Sequence, residues 1–222
     1  TTWDEYDGLT SAVHGLINGG FSGLALNHSD TGGYTSLSRF GLGYSREGEL
    51  LKRWGELSAF TSLLRTHEGN QPDANAQVYD EDQKEHFAWA TRVFAGLREY
   101  RAARFAEAES MGWPVVRHMW LHYPADSIAH ETNDQFLLGS GFLVAPVMER
   151  CSGWPWCSSA RDVYLPEGEW THLWSGDVYT GPVVMEFDAP LQEPPVFYRG
   201  DDPEAVAAVV TLRGYAVGVH EE

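Results

Sequence analysis

The most informative stretch of the sequence is Gly19-Gly20-Phe21-Ser22-Gly23-Leu24-Ala25-Leu26-Asn27-His28-Ser29-Asp30-Thr31-Gly32-Gly33-Tyr34. An apolar run between turn residues predicts a buried strand, and its setting favours a parallel one. Polar side chains at the carboxyl end of such a strand are typical of active sites in α/β barrels and open α/β sheets. Gly32 and Gly33 let the loop turn sharply and leave room for a bound molecule. The alternative is that His28 and Asp30 only hydrogen-bond a tight loop.

The same order of features, a helix, an apolar run and a polar cluster, occurs three times. Apolar residues at three- and four-residue steps predict three helices, followed by three apolar strands. The helices are expected at residues 3–17, 46–59 and 82–110, and the strands at residues 21–26, 60–64 and 114–121. Glycines are expected to end the first helix at Gly19 and Gly20, and the third at Gly112. This alternation predicts parallel strands joined by crossovers. Three units are too few to close a barrel, so we expect further units upstream of Thr1.

The sequence changes character after about residue 134 and becomes rich in short β-type runs separated by turn residues. This spacing is typical of an antiparallel all-β module. We expect its strands at residues 142–147, 162–165, 170–174 and 195–198, with a further apolar run at residues 205–212. The chain is therefore divided into an α/β part over residues 1–130 and an all-β part over residues 131–222.

Composition and charge restrict the partners. The chain has 222 residues and a formal net charge of −17, which disfavours nucleic acid and anionic membranes as partners. No run of about 18 apolar residues is present, so no membrane span is expected. The chain begins Thr-Thr-Trp, without a Met or a signal-peptide pattern, and we expect it to be a piece of something longer. A homo-oligomer is one of the assembly states left open.

Two cysteines, Cys151 and Cys157, lie close together in the sequence. They could close a small loop disulfide, but free thiols in a cytoplasmic protein are the favoured expectation. No further Cys or nearby His pair completes a zinc site with them.

Six motifs in order resemble the C-terminal part of glycoside hydrolase family 31, the α-glucosidases and their relatives. They are Asn27–Tyr34, Arg65–Asn70, Pro114–Arg117, Leu143–Val147, Tyr164–Trp170 and Pro195–Arg199. The resemblance implies the last strands and helices of a (β/α)8 TIM barrel, followed by an all-β sandwich C-terminal domain. Within the family, the Ser-Asp-x-Gly-Gly-Tyr and Arg-Thr-His-Glu-Gly-Asn forms are most similar to the sulfoquinovosidases, which cleave α-glycosides of 6-sulfo-6-deoxyglucose.

The resemblance also implies the chemistry of a retaining glycosidase with two aspartates. Both the nucleophile and the acid/base residue are expected upstream of Thr1, so we assign no catalytic residue here. His67 resembles a histidine that hydrogen-bonds sugar hydroxyls, and Tyr34 resembles a tyrosine that binds the sulfonate, in our expectation through water. Asp30 resembles an aspartate that supports the site without transferring protons. No metal or cofactor is implied.

Three alternatives accompany this interpretation. The first is a plain α-glucosidase, which the strongly negative charge favours over an enzyme for an anionic sugar. The second is a metal-dependent barrel hydrolase that uses His28, Asp30, His67 and His122 at strand ends. The third is a polypeptide without turnover of its own, either an inert remnant or the carbohydrate-contacting half of a larger chain.

Overall fold

A computed structural model describes residues 1–39, 42–151 and 159–217. Its first part is mainly helical, and an antiparallel sheet dominates the second. The helices of the first part are α1 (Leu9–Phe21), α2 (Gly48–Ala59), α3 (Lys84–Gly96) and α4 (Arg98–Met111). Two short antiparallel strands, β1 (Leu37–Arg39) and β2 (Leu42–Tyr44), precede α2.

Helix α1 begins and ends later than its periodicity suggests. The Asp4 carboxylate accepts hydrogen bonds from the backbone N–H groups of Tyr6 and Asp7, at 2.9 and 3.2 Å. Such a local turn competes with helix formation, so the helix starts only at Leu9. Gly19 and Gly20 lie inside the helix instead of ending it. A Cβ at Gly19 would lie 2.2 Å from Asn27 Nδ2, so the position serves close packing.

The run after α1 is not a buried strand. Leu24 and Leu26 are 57% and 61% exposed. Parallel contacts between the predicted units nevertheless remain. Thr31 and Thr66 form an isolated parallel bridge, and the Thr31 N–H donates to the Arg65 carbonyl at 2.8 Å. The two polar loops therefore lie side by side although neither follows a regular strand.

Helix α2 is confirmed close to its predicted bounds, and it buries Leu50, Leu51, Trp54 and Leu57 as expected. The single helix predicted over residues 82–110 is instead the pair α3 and α4, which is broken at Leu97. A Cβ at Gly96 would lie 3.0 Å from Leu212 Cα, so the break accompanies close packing against the last helix. Gly112 ends α4 in the left-handed conformation, with φ of 77°, as predicted.

Six strands in the described part of the second half form one antiparallel sheet, in the order β3-β4-β5-β8-β6-β7. They are β3 (Val116–Arg117), β4 (Phe136–Leu138), β5 (Phe142–Val144), β6 (Ala160–His172), β7 (Val178–Asp188) and β8 (Val196–Arg199). The third predicted parallel strand thus joins this sheet as β3, antiparallel to β4. Two of the predicted strands are one long strand, β6, which a bulge between Leu165 and Gly168 interrupts. The predicted apolar tail lies in helix α6 (Pro203–Val217), and a short helix α5 (Ser127–Glu131) precedes β4.

A buried ion pair ties α2 to the loop between β7 and β8. Arg53 Nη1 lies 2.9 Å from Glu56 Oε2, and both side chains are at most 2% exposed. Arg53 Nη2 donates to the Ala189 carbonyl at 2.7 Å, and the Gln192 N–H donates to Glu56 Oε1 at 2.7 Å. The helical part and the sheet therefore share a polar connection within their interface.

The structure corrects one expectation about the cysteines. Cys151 is disulfide-bonded, so the free thiol expected there is wrong. Cys157 lies outside the described residues. Within the described ranges, no helix is both long and apolar enough to cross a membrane.

Candidate functional site

The two polar loops bring Tyr34 and His67 together. The centroids of their rings lie 4.8 Å apart, and the rings meet edge to face at 77°. The Tyr34 side chain is 46% exposed. The Asn70 N–H donates to the Tyr34 carbonyl at 3.2 Å, which joins the two loops beneath the ring pair. The phenol of Tyr34 is therefore open to solvent beside the half-buried imidazole of His67.

The hydrogen bond of His67 fixes which nitrogen is free. Its Nδ1 accepts from the Gly69 N–H at 3.1 Å. In the neutral ring the proton therefore resides on Nε2, which is left as a donor. A donor of this kind suits the hydroxyl of a sugar.

Glycines let both loops turn sharply, as expected, but they do not leave room for a bound molecule. Gly32 and Gly33 have φ of 84° and 72°, which glycine adopts most readily. A Cβ at Gly32 would lie 2.3 Å from Arg46 Cδ, and one at Gly33 would lie 3.0 Å from Thr1 N. Protein atoms, not an open binding space, therefore occupy the volume beside these glycines. Gly69 likewise has φ of 85°, and a Cβ there would lie 2.8 Å from the Tyr34 carbonyl oxygen.

Asp30 is close to the ring pair in sequence but has few partners. Arg65 Nη1 lies 3.4 Å from Asp30 Oδ1, and the two side chains are 52% and 21% exposed. Oδ1 is itself buried and receives no hydrogen bond from the described residues. The contact with Arg65 is therefore an ion pair without a hydrogen bond. Backbone bonds hold the turn instead, since the Gly33 N–H donates to the Asp30 carbonyl at 2.7 Å.

The residues of the metal hypothesis do not converge. His28 is exposed, and His122 belongs to another part of the molecule, where its Nε2 lies 3.1 Å from Arg117 Nη1. There it stacks on Trp113 and lines a cavity of about 380 Å³ with Tyr123 and Arg199. Burial, reinforced by Arg117, lowers the pKa of His122 to about 4. In the ranges that the structure describes, no three His, Cys, Asp or Glu side chains form a group able to hold a metal ion.

One residue of this region has no signal in the sequence. Arg46 is 2% exposed, and its guanidinium donates to the carbonyl oxygens of Gly33 and His67, at 3.2 and 2.9 Å. The partner of an arginine can be predicted from sequence when a carboxylate lies three or four residues away on the same helix. The acceptors of Arg46 instead come from segments that are distant in sequence. The local sequence Tyr-Ser-Arg-Glu reads as an exposed helix start.

Comparison with known proteins gives consistent matches over both parts. Residues 1–104 match the glycosyl hydrolases family 31 TIM-barrel domain, and residues 112–202 match the glycosyl hydrolase family 31 C-terminal domain. The chain is 42% identical to a sulfoquinovosidase of Agrobacterium fabrum, over 90% of this chain and 29% of that protein. It is 29% identical to alpha-glucosidase 2 of Bacillus thermoamyloliquefaciens, over 87% of this chain and 23% of that protein.

A solved structure gives the same result for the fold. It is a GH31 family sulfoquinovosidase from E. rectale in complex with the aza-sugar inhibitor IFGSQ, with a TM-score of 0.83 and 36% identity. The match covers 98% of this chain and 31% of that one, so the chain spans under a third of the relatives it matches. The TIM-barrel portion and the C-terminal sheet domain inferred from the motifs are thereby confirmed, although the expected barrel strands are irregular here. The chain belongs to glycosyl hydrolase family 31.

Proposed function

We propose that this chain is the carbohydrate-contacting part of a retaining α-glycosidase that prefers α-sulfoquinovosides to α-glucosides. The observation that carries the proposal is the pairing of Tyr34 with His67, whose ring centroids lie 4.8 Å apart. The 42% identity to a sulfoquinovosidase, against 29% to an α-glucosidase, supports the sulfonated substrate.

In this proposal, His67 donates from Nε2 to a hydroxyl of the sugar, because Nδ1 is already engaged with the Gly69 N–H. The Tyr34 hydroxyl holds a water, or an oxygen of the sulfonate, above the same surface. Asp30 contributes weakly to the loop, through the contact of its carboxylate with Arg65, and transfers no proton. The nucleophile and the acid/base aspartate of the retaining mechanism come from residues preceding Thr1 in a longer polypeptide. The isolated chain then has no turnover.

The proposal is tested on the longer polypeptide with matched aryl α-sulfoquinovoside and α-glucoside substrates. Replacing Tyr34 by Phe removes one hydroxyl and keeps the ring. The preference in kcat/KM should narrow by about 1.5–3 kcal/mol, the scale of one hydrogen bond to a charged group. Tyr6→Phe is the matched control, since Tyr6 is 84% exposed. An unchanged substrate preference in Tyr34→Phe would show that the Tyr34 hydroxyl does not take part in sulfonate recognition.

A plain α-glucosidase is the second candidate, and the net charge of −17 favours it. A strongly acidic molecule repels an anionic substrate at long range. The same two-substrate assay separates the candidates, because an α-glucosidase turns over the neutral substrate at least as well as the sulfonated one.

A further inference from the structure

The guanidinium of Arg46 lies beneath both loops of the candidate site and joins them. Nη1 donates to the carbonyl oxygens of Gly33 and His67, at 3.2 and 2.9 Å. Nε donates to the Ala76 carbonyl at 2.7 Å, and Nη2 donates to Gln77 Oε1 at 2.9 Å. One side chain thus connects the residue before Tyr34, His67 itself and the segment that begins at Ala76.

The acceptors of Arg46 in the described chain are neutral oxygens rather than carboxylates. Burial lowers the pKa of Arg46, while Tyr79 and Asp80 act in the opposite direction. A planar group with five donors in fixed directions can satisfy several carbonyls at once, which a lysine ammonium on a flexible stem cannot. The geometry therefore depends on arginine and not only on a positive charge.

The path of the loop fits the Arg46 stem. At Gly32, a Cβ would lie 2.3 Å from Arg46 Cδ and 2.9 Å from Leu51 Cδ1. The loop before Tyr34 consequently passes directly over the arginine. A shift of this side chain would move the backbone that carries the tyrosine.

Asn75 secures the backbone of Arg46 to the same two loops. Its Oδ1 accepts from the Arg46 N–H at 2.9 Å and from Ser36 Oγ at 2.5 Å. Its Nδ2 donates to the Glu68 carbonyl at 3.2 Å, one residue after His67. Arg46 is thus linked to the two loops twice, directly through its guanidinium and indirectly through Asn75.

We propose that Arg46 is a positioning residue that fixes Tyr34 relative to His67 and thereby sets the selectivity for the sulfonated sugar. The selectivity part rests on the function proposed above. The positioning part is a statement about the two rings and can be tested without any substrate.

The first experiment is a double-mutant cycle in the longer polypeptide. Arg46→Lys should reduce the ratio of α-sulfoquinovoside to α-glucoside kcat/KM by about fivefold, within the range of couplings between contacting groups. In a Tyr34→Phe background the same change should leave the ratio unaltered. Arg101→Lys is the matched control, because Arg101 is also buried and donates to backbone carbonyls, those of Thr61, Phe94 and Ala59. A purely structural role of Arg46 would lower both activities alike and leave the ratio unchanged, which overturns the proposal.

The second experiment uses the nitrogen NMR signals of the His67 imidazole in the ligand-free protein. The wild type should show the Nε2–H tautomer, since Nδ1 accepts from the Gly69 N–H. Arg46→Lys should shift these signals toward a mixture of tautomers, whereas Arg101→Lys should not. If Arg46→Lys does not fold, Gln77→Met removes one acceptor of the guanidinium, together with the Gln77 Nε2 bonds to the Glu68 and Pro72 carbonyls, and should give a smaller shift of the same kind.

The two experiments separate the two proposals. A wild type without preference for the sulfonated substrate refutes the proposed function, while the His67 signals still report on Arg46. Unchanged His67 signals in both Arg46→Lys and Gln77→Met would refute the positioning role whatever the substrate.

Discussion

The ring of Tyr34 meets the ring of His67 edge to face, with a centroid separation of 4.8 Å. Their backbones lie in two adjacent loops, which the parallel bridge between Thr31 and Thr66 holds together. The two side chains therefore form one surface, and replacing each of them should have a different effect on substrate preference.

Replacing His67 by Leu removes the Nε2 donor proposed for a sugar hydroxyl. Because that hydroxyl is common to both substrates, kcat/KM should fall by about tenfold on each. This loss is near the upper end of the free energy that a neutral hydrogen bond contributes. The ratio between the substrates should stay the same, in contrast to Tyr34→Phe. The thermal midpoint of the variant serves as the control for folding. A selective loss on one substrate would mean that His67, too, contacts the sulfonate.

Replacing Asp30 by Asn tests how much this carboxylate supports the loop. Its contact is the one with Arg65 at 3.4 Å, and Arg65 is half exposed. Exposed ion pairs contribute about 0–1 kcal/mol, so the free energy of unfolding should fall by less than about 1 kcal/mol. Arg65→Gln should have an effect of similar size. A change in the pH profile of activity in Asp30→Asn would show instead that Asp30 takes part in proton transfer.

The buried pair Arg53–Glu56 should contribute strongly to stability. Removing the charge in Glu56→Gln leaves a buried guanidinium without its partner, which typically costs about 3–5 kcal/mol. Urea unfolding at pH 8 measures this loss, and Glu81→Gln is the control, because its pair with Lys84 is exposed. The double variant Arg53→Met/Glu56→Leu should recover most of the stability, since neither charge remains buried. Equal effects of Glu56→Gln and Glu81→Gln would contradict this account.

Stability should fall as the pH drops from about 6.5 toward 4, and His86 accounts for part of this. Burial lowers the pKa of His86 to about 4, while its hydrogen bond to the Lys52 carbonyl opposes the shift. The folded state then binds fewer protons than the unfolded state in this window, so acid favours unfolding. Once the pH lies below both pKa values, this shift of the His86 pKa lowers the free energy of unfolding by about 3 kcal/mol.

His86→Gln should make the melting temperature less dependent on pH between about 6.5 and 4. A wild-type melting temperature that is constant across this window would exclude the buried neutral form of His86.

The sequence patterns correctly predicted those elements in which the local preference of the residues agrees with their packing in the folded chain. Helix α2 has its apolar residues on one side, and packing buries that side together with the charged Arg53 and Glu56. Gly112 ends α4 because a left-handed residue is needed there. Tyr34 and His67 were found through motifs, and their proximity follows from the side-by-side arrangement of consecutive loops.

The errors arise where a contact distant in sequence determines the local conformation. Gly19 was expected to end a helix, but it admits Asn27 against the helix surface. The break at Leu97 accompanies packing between Gly96 and Leu212 of α6. Arg46 was missed for the same reason, because its acceptors at Gly33, His67 and Ala76 come together only in the folded chain.

The proposed function requires that the site formed by Tyr34 and His67 recognises a sulfonated sugar. The most direct measurement compares kcat/KM of the longer wild-type polypeptide on an aryl α-sulfoquinovoside and on the α-glucoside with the same leaving group. A site built to bind a polar group discriminates strongly against a substrate that leaves its partners unpaired. We predict a clear preference for the α-sulfoquinovoside. Equal or faster turnover of the α-glucoside would contradict the account and leave a plain α-glucosidase.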